Sequence, residues 1–457
     1  MLSQFDVDQS QPVVPMSLSP FSVLFVLPNY ISRHLAHGNR LIFMSEIAFI
    51  HPSTPNSEGT GATHSSDRII NSLVNQGFDV TVYCQSDPSD SIKTEQYDMK
   101  SLGVSGGPSR VFAEEINRAI DQRKDELANY DLIHSYMPRS IPSMGQLGQE
   151  YETQTLVTLN AYSGVCPKND LLYLDSYHCD NSGLVKCAKC TLSDSRTRSN
   201  AERNSKPETA VRSVYRWTKR LREYRQVQAG NKAFEDITAF HALSPSVKNN
   251  YIDFGFPESK MAIIPNILDE HFEVKHESDF ESPFQLLYVG TLRHRKGVDR
   301  LISVVDNLRN QYNRDINLTI AGDGPWKPTL KEMVEDRQLQ EHIDFLGHVP
   351  YQELPQIYAN HDLFVYLGRW DEPFGRVFLE AMASGTPVFA TNVGSVTDIV
   401  EDAGFITNGD SEGTIAKDLN DILDQEQLKN ASHSVNLEPY RSKTVVSDFT
   451  QLYDQII

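Results

Sequence analysis

Two carboxylates, Glu372 and Glu380, bracket the stretch EPFGRVFLE, which runs on into AMASGTPV. Glu372 is expected in a loop after a strand. Pro373 and Gly375 then turn the chain into a helix that starts near Arg376. A helix N-terminus offers unpaired N–H groups and the positive end of a dipole, so it suits an anion. Glu380 falls about one turn into that helix. Its neighbours there are Val377, Phe378, Leu379, Ala381 and Met382. A carboxylate in apolar surroundings needs a partner. Two carboxylates so placed can accept charge-assisted hydrogen bonds from sugar or ribose hydroxyls. The plainer reading is a solvated loop glutamate and a helix-surface glutamate.

A second constellation, GTLRHRKG at 290–297, directly follows an apolar run. Fixed cations stabilise negative charge growing on a leaving group without moving a proton. Lys296 supplies a point charge, and Arg293 or Arg295 could supply a bidentate fork. A basic turn on a solvated surface is the alternative. A third feature is the loop with Gly59 and Gly61, where a backbone without side chains can approach a ligand closely. It reads equally as a tight strand-to-helix turn. Cys166, Cys179, Cys187 and Cys190 fall in one short window. The Cys187-x-x-Cys190 spacing suits a metal knuckle, and four thiolates could hold one structural zinc ion. Free thiols and a redox role stay open beside it. Residues 211–227 hold six basic residues and one acidic one. Val214, Trp217, Leu221 and Tyr224 make an apolar stripe at helical spacing. Such a helix either docks on anionic lipid or acceptor phosphates, or faces the core with a basic outer side.

These residues need a scaffold that brings distant loops together. Short apolar strands are expected at 46–50, 78–84, 131–136, 155–160, 237–244 and 261–266, with helices at 62–76 and 112–128 between them. The pattern restarts with strands at 284–290, 316–322, 343–347, 362–367 and 387–391. Helices are expected at 297–310, 326–338, 351–360, 376–384 and 395–401. Strands alternating with helices imply parallel βαβ units. The expected organisation is a first domain over 44–266, with a cysteine-containing excursion at 163–200. A polar linker at 267–283, a second domain over 284–436 and a helical segment over 437–457 follow. Ligands in such sheets sit outside the carboxyl ends of the strands, and two domains face to face leave a cleft suited to small molecules.

A chain of 457 residues is too long for one ordinary core at about 100–200 residues per domain. Its 61 acidic and 42 basic residues give a net charge of −19, which argues against nucleic-acid binding. No stretch reaches the roughly 18 apolar residues of a spanning helix. FSVLFVL at 21–27 is short and has no basic residues before it, so it makes a poor signal peptide. Residues 1–43 are expected to be an extension outside the fold or the product of an upstream start. An extra strand at 21–27 is the alternative. Without a secretory signal, the cysteines are not expected in disulfides, and a cytoplasmic setting is expected. A dinucleotide-dependent oxidoreductase fits poorly. His64 stands where the third glycine of G-x-G-x-x-G belongs, and no acidic residue closes the strand at 78–84.

Taken together, the motifs resemble the family-4 retaining glycosyltransferases. Beside EPFGRVFLEAMASGTPV, the resemblance is carried by SEGTGATHSSDRIINSLVNQGFDVTVY, SPSVKNNYIDFGFPESKMAIIPNILD, YVGTLRHRKGVDRLI, LTIAGDGP and IDFLGHVPYQELPQIYANHDLFVYL. It covers most of 44–457. It implies the α/β fold called GT-B: two Rossmann-like domains facing across a cleft, with a C-terminal helix crossing back to the first. It also implies a nucleotide-sugar donor, a glycan, lipid-linked or small-molecule acceptor, and front-face displacement with retention. No cofactor is required for catalysis in this picture. Glu380 would hold the ribose, and Glu372 would lie near the transferred sugar. The amides of Phe374, Gly375 and Arg376 would touch sugar and phosphates. Gly394 and Ser395 would approach the diphosphate, with Gly59 and Gly61 beside it, and Lys296 and Arg293 would meet its charge. Two positions depart from the pattern. Thr291 stands where the family has arginine. Asn160 stands where it has a histidine that contacts the sugar, and His134 and Tyr162 are nearby stand-ins. These departures keep open a sugar-nucleotide-binding protein with weakened catalysis. A phosphorylase or an epimerase on the same fold is a further reading.

Overall fold

The computed structural model describes residues 45–53, 61–85, 96–104, 112–190, 210–400 and 403–457. The extension expected over 1–43, with its alternative strand at 21–27, and Gly59 lie outside the described residues.

Runs of buried apolar residues make the strands. β1 (Glu46–His51) and β2 (Asp79–Cys84) are buried at every position after the first, as parallel strands covered on both faces require. They join β3 (Asp98–Ser101), β4 (Leu132–Ser135) and β5 (Gln154–Leu159). After a two-stranded antiparallel hairpin, β6 (Leu172–Tyr173) and β7 (Tyr177–His178), come β8 (Ala239–Ala242) and β9 (Met261–Ile263). The first sheet has the order β3-β2-β1-β4-β5-β8-β9, and its pairings are parallel.

The second sheet is built from β10 (Phe284–Val289), β11 (Ile316–Ala321), β12 (Ile343–Gly347), β13 (Leu363–Tyr366), β14 (Val388–Thr391) and β15 (Gly404–Thr407). Its order is β12-β11-β10-β13-β14-β15, again parallel throughout. Each order reverses at its first strand, between β1 and β4 and between β10 and β13. Such a reversal opens a crevice at the strands' carboxyl ends. The loop leaving β10 carries Lys296, and the loop leaving β13 carries Glu372, so topology alone delivers both to one crevice.

Two expectations change in the structure. Residues 267–283, expected as a polar linker, connect the domains as a packed strap. Ile267, Leu268, Phe272 and Phe280 are each at most 5% exposed. Ile267 joins the first domain's core and the other three join the second's. Glu270, Glu273, Lys275, Glu277, Asp279 and Glu281 face outward, and the apolar residues pin the strap to both cores. The helix expected over 112–128 is broken. It runs over Ala113–Asp121 and resumes at Lys124–Leu127.

The C-terminal helix, Ser442–Ile456, returns to the first domain. Val445, Val446, Phe449, Leu452 and Tyr453 pack with Ile47, Phe49, Val80 and Val82 of β1 and β2. A buried polar chain adds to that seam. His241 Nε2 lies 2.7 Å from the carbonyl of Ile264, which can only accept, so Nε2 donates. His241 Nδ1 therefore accepts, and Thr158 Oγ1 donates to it over 3.0 Å. Thr158 in turn accepts from His134 Nε2 at 2.7 Å. His134 Nδ1 then accepts from the Tyr453 hydroxyl at 2.5 Å. One terminal carbonyl thus fixes every proton of a chain that links the C-terminal helix, β4, β5, β8 and the residue after β9. Both imidazoles are neutral in this chain. Burial pushes His241 down to about 4. Burial and the neighbouring His241 hold His134 well below its usual value. Among the described residues, no helix is long and apolar enough to cross a membrane.

Candidate active site

Glu372 sits at the centre of the crevice and is 8% exposed. Its Oε2 accepts three hydrogen bonds, from Lys296 Nζ at 2.6 Å, Tyr366 OH at 2.8 Å and Trp370 Nε1 at 3.0 Å. Burial works to raise the Glu372 pKa. The Lys296 charge and hydrogen bond, with Tyr366, prevail and hold it below the usual range. The carboxylate is therefore fixed as an anion.

The two loops that meet here are tied by Arg369. Its guanidinium binds both oxygens of Asp299, each at 2.8 Å, and the His294 carbonyl at 2.9 Å. Of the neighbouring arginines, Arg295 stands beside the pair, with its guanidinium 4.0 Å from the Trp370 ring centroid. It adds positive charge at Glu372, and its Nε is buried without a hydrogen-bond partner. Arg293 is exposed. Thr291 is exposed as well.

The turn after β14 packs on the Glu372 backbone. Gly394 has a φ of 57°, and a Cβ there would lie 2.4 Å from Glu372 N and 2.6 Å from its carbonyl oxygen. Only glycine permits both the left-handed turn and the approach. Ser395 N donates to the Glu372 carbonyl at 2.8 Å, while its buried hydroxyl has no partner. Gly375, also left-handed, opens the helix Arg376–Ala383 with no side-chain cap. The first amides of that helix stay available to an anion. Phe374 is buried and packs edge-on to Tyr440.

Glu380 lies on the buried face of the same helix, 7% exposed. Tyr358 OH donates to its Oε2 at 3.2 Å, and Arg376 approaches its Oε1 to 3.7 Å. Burial nonetheless raises its pKa, against the pull of Arg376 and Tyr358. Arg376 also donates to the Tyr351 hydroxyl, which donates to Asp269 in the strap. Asp269 pairs with Arg68 of the first domain's helix Gly61–Asn75. The glutamate is thereby wired to the opposite domain.

Other contacts bridge the domains at the same turns. Ser244 Oγ donates to the Pro373 carbonyl at 3.1 Å, and Ser246 Oγ to that of Gly394 at 2.8 Å. Ser246 N donates to Asp398 at 3.0 Å. These serines went unremarked in the sequence, as did Tyr366, Trp370, Arg369 and Tyr358. The SPS stretch at 244–246 was a legible helix-start signal, and Ser244 does cap the helix Pro245–Asp253. Asn160, at the end of β5, is half-buried and donates to the Tyr136 carbonyl at 2.9 Å. His134 belongs to the core chain and not to the cleft. Tyr162 is buried, accepts from Asn250 at 3.1 Å and lies within the fields of Asp371 and Glu372. Gly61 begins the helix Gly61–Asn75.

The zinc expectation does not meet a ligand set. All five cysteines are free thiols. Among the described residues, no group of three or more His, Cys, Asp or Glu side chains is arranged to hold a metal ion. Cys190 donates to the Leu172 carbonyl and accepts from Leu174 N, each at 3.4 Å. Cys179 donates to Asn181 O at 3.2 Å. Burial, reinforced by Asp170, pushes the Cys166 thiol up to about 11. Cys179 and Cys190 thus turn to separate backbone partners. The basic segment 211–227 lies within the helix Ala210–Ala233. That helix packs on the helices Ala113–Asp121 and Ile141–Tyr151, with Val227 buried and Arg222 and Arg225 exposed.

Two parallel Rossmann-like sheets, a cleft between them and a C-terminal helix crossing back define the GT-B class. Solved structures share that fold. Sucrose-phosphate synthase from Thermosynechococcus elongatus aligns with a TM-score of 0.65 at 18% identity, covering 90% of this chain and 98% of its own. Alr3699/HepE of Anabaena, solved in complex with UDP and glucose, aligns with a TM-score of 0.61 at 16% identity, covering 90% of this chain and all of its own. Residues 270–435 match the family model Glycosyl transferases group 1. Across 231 residues, the chain is 26% identical to the N-acetyl-alpha-D-glucosaminyl L-malate synthase of Bacillus anthracis. That match takes in 47% of this chain and spans 59% of the relative's length.

Proposed function

We propose that this protein transfers a glycosyl group from a nucleoside-diphosphate sugar to a hydroxyl acceptor, with retention of configuration. The observation that carries the reading is the Lys296–Glu372 pair at the β10/β13 crevice, flanked by the Gly394–Ser395 turn and by Glu380. An ammonium has three N–H donors, and Glu372 takes one of those on Lys296. The others are free to meet phosphate oxygens as the sugar–phosphate bond breaks and charge grows on the leaving diphosphate. Arg295 adds a second cation, 4.0 Å from the Trp370 ring centroid. Glu372 Oε2 is saturated by protein donors, which leaves Oε1 to accept from the sugar. Glu380 would take the ribose hydroxyls, and the uncapped amides at Gly375 and Arg376 would take phosphate or sugar oxygens. The acceptor is a glycan, a lipid-linked glycan or a small molecule. For a lipid-linked acceptor, Arg222 and Arg225 on the outer face of the helix Ala210–Ala233 would meet anionic lipid at the inner membrane face.

The test is release of nucleoside diphosphate from a panel of UDP- and GDP-sugars. Wild type should release it from one donor class. Lys296→Ala should slow release by about 100-fold or more, the scale of losing one preorganised charge partner. A second reading, a binding protein with weakened catalysis, rests on Thr291 and on Asn160, whose amide is spent on Tyr136. Tight diphosphate binding with no release from any donor would favour that reading.

A further inference from the structure

The excursion that leaves β5 after Asn160 turns back onto the loop that carries Glu372. Its root, Tyr162, is buried beside the site. Lys168, 3% exposed, then pairs with Asp175 at 2.6 Å and lies 3.7 Å from Asp170. It also donates to the Leu172 carbonyl at 2.9 Å. Around this staple, Asn169, Leu171, Leu174 and Asp175 all hold left-handed φ values between 51° and 61°. Such residues cost on the order of 1 kcal/mol each and persist only where surrounding contacts over-determine them. Arg220 Nη1 braces the segment from outside through the Pro167 carbonyl at 2.7 Å. The hairpin β6–β7 then projects His178 to Asp371, and the two form an ion pair across the domain boundary. Asp371 immediately precedes Glu372. The carboxylates facing His178 are those of Asp371, Asp180 and Asp253, and Asp180 is itself paired with Lys186 at 3.0 Å.

We propose that the excursion at 161–190 is a wall that shields the donor at this site from water. His178 is the positioning residue that seats that wall on the Glu372 loop through Asp371. This rests on the transferase reading. In this arrangement the seated excursion covers a sugar held at Glu372 from water. Loosening the clasp therefore admits water to the donor before it affects the diphosphate site.

The experiment uses the full chain as wild type, His178→Gln, His178→Lys and Asp371→Asn. Hydrogen exchange is read over 168–180, with hydrolysis of the preferred nucleotide sugar in the absence of acceptor and the melting shift given by its diphosphate. His178→Gln and Asp371→Asn should each exchange severalfold faster over 168–180. His178→Gln should also hydrolyse donor severalfold faster while keeping its diphosphate shift. His178→Lys, which keeps a cation opposite Asp371, should stay near wild type. Unchanged exchange in both His178→Gln and Asp371→Asn overturns the clasp. Faster exchange without faster hydrolysis overturns the shielding wall. If wild type itself shows no diphosphate shift, the transferase reading fails, while the exchange result still decides the clasp.

Discussion

Glu372 and Glu380 belong to one motif yet ionise under opposite pressures. Lys296, Tyr366 and Trp370 all serve Glu372 Oε2 and hold that carboxyl ionised. Burial dominates at Glu380 and favours its neutral form. Hydroxyl donors from a ligand would reverse that balance, since they favour the carboxylate. Nucleotide binding should thus lower the Glu380 pKa, and affinity should weaken as pH falls through the raised value of the free protein. Calorimetric titration across acidic pH checks this, and Glu380→Gln should flatten the dependence. The Lys296–Glu372 pair separates stability from chemistry. Lys296→Ala leaves a buried carboxylate uncompensated and should cost about 3 kcal/mol. Adding Glu372→Gln should restore much of that stability without restoring turnover, as paired melting and donor-release measurements would show.

At the scale of elements, the site is made by turns at strand ends held at close range. Gly394→Ala would push a methyl into the Glu372 backbone and strain a left-handed turn. It should destabilise by more than about 1 kcal/mol and impair diphosphate binding, read by melting with and without ligand. Tyr453→Phe would leave His134 Nδ1 buried without its donor. The expected loss is about 1–3 kcal/mol, with faster exchange in the C-terminal helix. Much of this architecture was legible. The strands announce themselves as buried apolar runs, and Pro373 and Gly375 punctuate the loop that enters the helix at Arg376. The helix Ile141–Tyr151 was hidden because its glycines resemble breakers. Their real role is close approach: a Cβ at Gly145 or Gly148 would lie 2.2 Å from Ala233 O or 2.1 Å from Asp236 O. The edge strand β3 (DMKS) shows no apolar run. Glu380 was legible as a carboxylate that needs a partner, but Tyr358 and Arg376 were not nameable. Side chains that meet only through tertiary packing leave no spacing signal.

At the scale of the whole molecule, buried neutral histidines set the acid limit. Burial holds His51 and His241 at about 4, against an ordinary 6.5. His134 lies well below its ordinary value too. Each must gain its proton on unfolding as pH falls below 6.5. Their stabilisation is complete above that value and is lost between about 6.5 and 4. For His51 and His241 the loss is about 3 kcal/mol each, large against a typical total of about 5–15 kcal/mol. Melting temperature should fall steeply across that window, and less steeply in His241→Gln. The cleft between the domains carries the account's central claim, that it is built for a nucleoside diphosphate. The most direct measurement is thermal melting of wild type and Glu380→Ala with UDP, GDP, ADP or NAD. A ligand at about 100 times its dissociation constant stabilises by about 2.7 kcal/mol. One nucleoside diphosphate should raise the melting temperature of wild type and leave Glu380→Ala unmoved. A shift with NAD and with no diphosphate would contradict the account.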